Sequence, residues 1–252
     1  MLLGEPPRTQ YDLRFSLLGI PVRVHPLFWL VTVMLGYNLG DPASVLTWIV
    51  AVFLSILVHE LGHAVVMRAY GFRPWITLYG MGGMASHDQG YDSRSKGSEP
   101  LGQVLICLAG PAAGFLLAGV LVLGLMMAGY GIGRHIFFVS PLGLRPAVLD
   151  LPNQRVAELL NHVFFVSVLW GMVNLLPIYP LDGGQIAREI LLAISPHHGI
   201  RLSLQLSIVA AAAMAVVGFV LWHHDWFVVI VFGYLAYASY LTLRAYSGFN
   251  PR

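Results

Sequence analysis

Charge is scarce in this chain. Of its 252 residues, 57% are hydrophobic and only 10% are charged, too apolar a balance for an ordinary soluble domain. Cysteine is nearly absent. The single Cys107 excludes an intrachain disulfide framework, and its apolar surroundings mark it as a small core- or lipid-facing residue. The net charge is only +2, with the basic residues scattered, so no patch for nucleic acid is expected. The start of the chain carries Glu5, Arg8, Asp12, Arg14 and Arg23 without a long apolar core, so no signal peptide is expected. No Gly/Ser/Pro-rich linker or fixed-period repeat divides the chain. One domain over residues 1–252 is expected.

What the chain has instead is long apolar runs. A bilayer-spanning helix needs about 20 predominantly apolar residues. Candidate spans are Pro26–Leu39, Val45–Ala69, Leu101–Ala128, Val156–Leu176, Leu204–Trp222 and Trp226–Leu243. The first is short. Trp222 and Trp226, flanking His223, His224 and Asp225, read as interfacial anchors of a tight hairpin. With both termini cytoplasmic, only Arg134, Arg145 and Arg155 of the 14 basic residues fall outside. That bias orients the protein.

The second run ends in His59-Glu60-Leu61-Gly62-His63. On a helix, positions i and i+4 lie about 40° apart around the axis, so both imidazoles share a face and can bind one Zn²⁺. The intervening glutamate can then polarise a water on the metal. His59 precedes Arg68 by nine residues, which puts it about 13 Å inside the basic boundary. Placing a carboxylate and two imidazoles in an apolar helix is costly unless they function together.

A zinc site of this kind needs a third protein ligand. Of the 12 acidic residues, Glu60 and Asp182 are the two at membrane depth. Asp182 closes the segment Asn174-Leu-Leu-Pro-Ile-Tyr-Pro-Leu-Asp-Gly-Gly184. Pro177 and Pro180 break the helix there, and irregular backbone is tolerated in a membrane where it is buried in protein or lines a wet cavity. With spans two and four both running inward, the two motifs reach the same depth. The competing reading of Asp182 is an Asx-type cap or turn at Asp-Gly.

His-Glu-Leu-Gly-His followed about 120 residues later by Asn-x-x-Pro-x-x-Pro-Leu-Asp-Gly resembles the site-2 protease family of intramembrane zinc metalloproteases. Ile20-Pro-Val-Arg-Val-His-Pro-Leu-Phe28 and Gly110-Pro111 add to the likeness. It implies an all-α polytopic membrane protein with about six transmembrane helices and a short membrane-associated β-hairpin or re-entrant loop after the second. It implies one Zn²⁺ per chain held by His59, His63 and Asp182. Glu60 would activate water and pass its proton to the leaving amine. Asn174 would steady the substrate backbone or oxyanion, or else bond backbone freed by the prolines. The apolar, glycine-punctuated segment Ile76–Ala85, with Gly80, Gly82, Gly83 and Met84, would offer a strand edge to an unwound substrate. Family members often carry Asn a few residues after Gly-Pro, where this chain has Gly114. Neither the large periplasmic peptide-binding insert nor the nucleotide-sensing module of some relatives is expected in these 252 residues.

The resemblance implies a membrane endopeptidase, and the charge bias orients its active site toward the cytoplasm, as expected in the cell membrane. It would cleave within or beside the transmembrane segment of another membrane protein, with the bilayer and a single-span or other transmembrane substrate as partners. The rival is a catalytically silent relative acting as a chaperone or adaptor, against which Glu60 argues. A zinc channel would need polar residues along other helices, and the last two spans offer almost none. The remaining histidines read as structural: His25 interfacial before Pro26, His87 in a solvated loop, His197-His198 and His223-His224 too few for a diiron site. Gly110 and Pro111 read as packing and kink features. Glu158 and Glu189 read as helix-end residues.

Overall fold

The computed structural model describes residues 5–80, 82–88, 96–130, 139–140, 143–144, 151–221 and 226–249. Met81, Arg94, Arg134, Arg145 and residues 222–225, where a tight hairpin is expected, lie outside the described residues. Contacts divide the chain into two units: residues 1–96, 109–138 and 145–171, and residues 97–108, 139–144 and 172–252.

In the first unit, β1 (Leu13–Leu17) and β2 (Ile20–Val24) form a hairpin, followed by α1 (Pro26–Gly36) and α2 (Pro42–Ala69). The chain then returns as β3 (Arg73–Tyr79) and β4 (Gly82–Asp88). The four strands make one sheet in the order β1-β2-β3-β4. β2 and β3 pair in parallel, Val22 opposite Ile76 and Val24 opposite Leu78. A parallel pair needs a long crossover, and α1 with α2 supplies it.

The chain is therefore mostly helical but not all-α. The strands at Leu13–Val24 are hidden in the sequence because only Ile20-Pro-Val-Arg-Val alternates clearly, and that stretch reads as the approach to a helix. The alternation has a core behind it. Ile20, Val22, Val24, Ile76 and Leu78 point onto Phe28, Val52, Ile56, Leu57 and Ala64 of the helices, with Val166 joining them. Ile76 and Leu78 are wholly buried, and truncating either to Ala would cost about 2–5 kcal/mol.

His25 connects sheet and helix. Its N–H donates to Leu78 O at 2.8 Å, extending the ladder by one bond. Its Nδ1 accepts from Leu27 N at 3.2 Å, capping α1 ahead of Pro26. Asp41 does the same for α2, accepting from Ala43 N and Ser44 N. Helix α2 runs 28 residues, about 42 Å, and ends where Gly71 takes a φ of +86°, the left-handed conformation that glycine adopts most readily.

Helix α3 (Pro100–Met127) starts in the second unit and ends in the first, and α4 (Gln154–Asn174) ends in the second. Two short strands, β5 (Val139–Ser140) and β6 (Gly143–Leu144), pair between them. Within the first unit α2 and α4 join through polar atoms. Ser167 Oγ donates to Ser55 Oγ at 3.0 Å, and Ser55 Oγ to Val163 O at 3.2 Å.

The second unit contains α5 (Asp182–Ile194), α6 (Gly199–Leu221) and α7 (Trp226–Phe249). α6 and α7 close on a core of Ile178, Ala211, Phe232 and Leu235. α5 is a short helix absent from the sequence reading. Glu189 lies inside it rather than at an end.

Five described helices (α2, α3, α4, α6 and α7) are long and apolar enough to cross a membrane. Their outward residues fit lipid: Leu46, Val50 and Leu54 on α2, Leu116, Val120 and Leu123 on α3, and Val209, Val216 and Val220 on α6 are all exposed. The sixth apolar run is shorter, α1 with the 3₁₀ turn that carries it to Leu39.

Candidate metal centre

His59, Glu60 and His63 are all buried on α2. The two Nε2 atoms approach to 3.2 Å, with ring centroids 4.9 Å apart and planes at 78°. Two tetrahedral ligands at about 2.0–2.1 Å from one Zn²⁺ would stand roughly 3.3 Å apart. The imidazole nitrogens thus aim at one point at zinc spacing, and neutral imidazole is an apt zinc donor.

Two glycines line this face of α2. Gly110 of α3 lies against the ring nitrogens: a methyl group there would fall 2.7 Å from His59 Nε2 and closer still to His63 Nε2. Gly83 of β4 lies against the glutamate: a methyl there would fall 2.6 Å from Glu60 Cδ. The space a Cβ would fill on α3 is a cradle open to an ion, so the residues present fit zinc.

The glycine-rich hairpin divides by position. Gly82, with φ +115°, packs its Cα on the Trp170 ring. Gly80 faces α1, where a methyl would lie 3.4 Å from Val31 Cγ2. Met84 is half-buried on β4, opposite Thr77. Of the four hairpin residues, only Gly83 has its missing side chain directed at Glu60. His87 belongs to β4 rather than to a loop, and its ring stacks on Phe72 at 4.2 Å.

In the second unit, Asn174 ends α4 and Asp182 begins α5, both buried. The intervening Leu175–Leu181 is non-helical, as the two prolines require. It folds tightly over the start of α5. A Cβ on Gly183 would strike the Leu175 and Leu176 carbonyls, and one on Gly184 the Ile178 carbonyl. The residue at the N-cap position is Leu181, not Asp182. Sequence reasoning missed how the freed backbone is satisfied. Tyr179 N donates to Ser207 Oγ at 3.0 Å, and Ser239 Oγ donates to Tyr179 O at 3.4 Å. Both serines are wholly buried, on α6 and α7, the helices that had looked featureless. Serines on apolar helices near a Pro-broken segment were the available signal.

A third cluster holds the start of the chain. The buried Arg23 guanidinium of β2 pairs with Glu5 Oε1 at 2.7 Å and with Asp12 Oδ2 at 3.2 Å, and donates to the Pro6 and Pro7 carbonyls. Glu5 also accepts from Thr77 Oγ1 at 2.8 Å. Burial works against ionising Asp12. The Thr9 hydroxyl and amide and the Arg23 guanidinium outweigh it, holding the carboxyl well below the usual range.

A polytopic helical protein with a two-histidine centre beside a buried glutamate is the class these observations define. Residues 47–221 match the family model of Peptidase family M50, and the chain belongs to that family. It is similar to a zinc metalloprotease of Methanocaldococcus jannaschii, MJ0392, 29% identical over 187 residues that cover 72% of this chain and 46% of that one. Stage IV sporulation protein FB of Bacillus subtilis is 27% identical over 169 residues, 66% of this chain and 46% of its own. The solved structure of a site-2 protease from Methanocaldococcus jannaschii shares the fold, with a TM-score of 0.56 and 23% identity, covering 92% of this chain and 95% of that one. The chain spans about half the length of the curated relatives it matches.

Proposed function

We propose that this chain is a single-domain, zinc-dependent intramembrane endopeptidase. It would hydrolyse a peptide bond in or near the transmembrane segment of a membrane-protein substrate. The observation that carries the proposal is the paired His59 and His63 nitrogens with Glu60 beside them, buried on an apolar helix. Asp182 is the third ligand in this reading: each of the three buried residues can offer one metal-binding atom. Held there, a zinc ion would supply Lewis-acid chemistry toward a carbonyl and a water.

The chain's own residues supply the rest. Glu60 takes the proton from the attacking water and delivers it to the leaving amine. Its burial beside Gly83 keeps bulk water away from the carboxylate. Asn174 donates its amide to the substrate carbonyl or backbone. The substrate must unwind locally, and β4 is an edge strand of the sheet among the described residues. Gly80, Gly82, Gly83 and Met84 form the stretch beside which an extended substrate would pair.

The hairpin enters the membrane in this reading. Gly83 lies at the level of Glu60, which is nine residues before the end of α2, about 13 Å along the axis. α1 counts as the sixth membrane helix. Its last residue, Gly36, meets the Trp48 ring, only six residues into α2, and Trp48 Nε1 donates to Thr32 O at 3.1 Å. The end of α1 thus packs against the first turns of α2, although α1 has 11 residues to the 28 of α2. The positive-charge bias then puts both termini and the site on the cytoplasmic side of the cell membrane.

Glu60→Gln tests the proposal. It keeps both imidazoles, so zinc should be retained while cleavage of a single-span substrate falls about 10²–10⁴-fold. Cleavage at the wild-type rate would end the assignment of Glu60 as the base. No cleavage by the zinc-loaded wild type itself would favour the chaperone or adaptor alternative, for which a buried carboxylate beside the metal has no use.

A further inference from the structure

We infer that Gly110 belongs to the metal centre by virtue of having no side chain: a Cβ there would collide with the imidazoles at the nitrogens that would hold the ion. This inference rests on the metal-centre reading above. A methyl on Gly110 lies 2.7 Å from His59 Nε2 and nearer to His63 Nε2 and Cε1. An ion on those nitrogens would need both rings to keep their present orientation and the space beside them free. A methyl there would press on the rings and crowd that space. An alanine there would force the imidazoles to rotate away, and rotated rings no longer converge.

The helices cannot separate to relieve the conflict. Gly62, one residue before His63, brings α2 onto α3. A methyl on Gly62 would strike the Ala109 carbonyl oxygen and fall 2.7 Å from Ala113 Cβ. Backbone-to-backbone approach through small residues is the usual way membrane helices pack closely. Here the two glycines divide the work. Gly62 sets the distance between α2 and α3, and Gly110 leaves the resulting gap open at the ring nitrogens. Pro111, wholly buried next to it, lacks an N–H and holds φ near −65°, which fixes the backbone immediately after the cradle. A packing glycine alone would face a backbone or an aliphatic side chain, as Gly62 does. Gly110 faces two metal-binding nitrogens.

The test uses the full chain, purified in detergent, with Zn²⁺ content and the visible spectrum of the Co²⁺-substituted protein as readouts. Wild type should take up about one ion per chain, and Gly110→Ala should bind at least about 10-fold more weakly. Gly119→Ala, in the same helix but with nothing within 4 Å, should bind as wild type does. Wild-type affinity in Gly110→Ala overturns the inference. Failure of the wild type itself to bind overturns the metal-centre reading instead. If Gly110→Ala does not accumulate, the triple variant His59→Ala, His63→Ala, Gly110→Ala decides. Recovery to the level of the double histidine variant shows the collision is with the rings, as inferred. No recovery shows a backbone clash and overturns it.

Discussion

Gly83 of β4 lies flush against the carboxylate of Glu60, so close that a methyl group would fall 2.5 Å from Oε1. The hairpin and the proposed base therefore share one van der Waals surface. Substitutions in this strand act on Glu60 before they act on any substrate. Gly83→Ala should displace the carboxylate by about 1 Å while leaving His59 and His63 untouched. A misplacement of that size costs on the order of 10²-fold in rate. Zinc content at the wild-type level with hydrolysis reduced is the expected pair of results. Unchanged hydrolysis would show that Glu60 has room the structure does not give it.

Asp182→Asn separates a ligand from a turn-former. Asparagine serves Asx turns as well as aspartate does, but its amide is a poor zinc ligand. As a ligand, Asp182 cannot be replaced: zinc affinity should fall at least about 10-fold with folding intact. A variant that keeps its zinc would return Asp182 to a structural role.

The Arg23 cluster gives a pH signature. Asp12 is held below its ordinary range, so its pairing stabilises the fold at every pH above the ordinary carboxylate value of about 3.9 and fades as pH falls further. Hydrogen exchange of the β1 amides, corrected for intrinsic rate, should be flat from about pH 8 to about pH 5 and rise only in stronger acid. Asp12→Asn should raise exchange at neutral pH and remove the acid dependence. A rise already beginning near neutrality would mean that another group controls the strap.

Much of this was legible in the sequence, and the exceptions have physical causes. Length and apolarity alone located α2, α3, α4, α6 and α7, because a bilayer imposes that length whatever the tertiary packing. His59, Glu60 and His63 were legible because buried charge demands a reason. Helix α5 was not, since Arg188 and Glu189 make it amphipathic and interrupt the apolar pattern. β1 and β2 were missed because short strands beside a membrane helix look like its approach. The sequence reads Gly83 as a substrate-pairing position and Gly110 as a packing feature, but not that the one faces Glu60 and the other the imidazoles. A glycine's sequence context says that a side chain is missing, not what occupies the space.

Ser207 joins the broken segment to its surroundings, and the last prediction concerns it. Its Oγ accepts from Tyr179 N at 3.0 Å while donating to Ser203 O at 2.8 Å. Pro177 and Pro180 interrupt helical bonding across Leu175–Leu181, and in a membrane no water is at hand to replace it. Ser207→Ala leaves the Tyr179 N–H without that acceptor, which should cost about 1–3 kcal/mol. Because Tyr179 is three residues from Asp182, the loss should appear in two measurements at once: a lower melting temperature of the apo protein and a weaker grip on zinc. Ser207→Thr keeps the hydroxyl and should restore both. A variant that melts earlier yet binds zinc as tightly as wild type would show that the segment's order and the metal centre are independent.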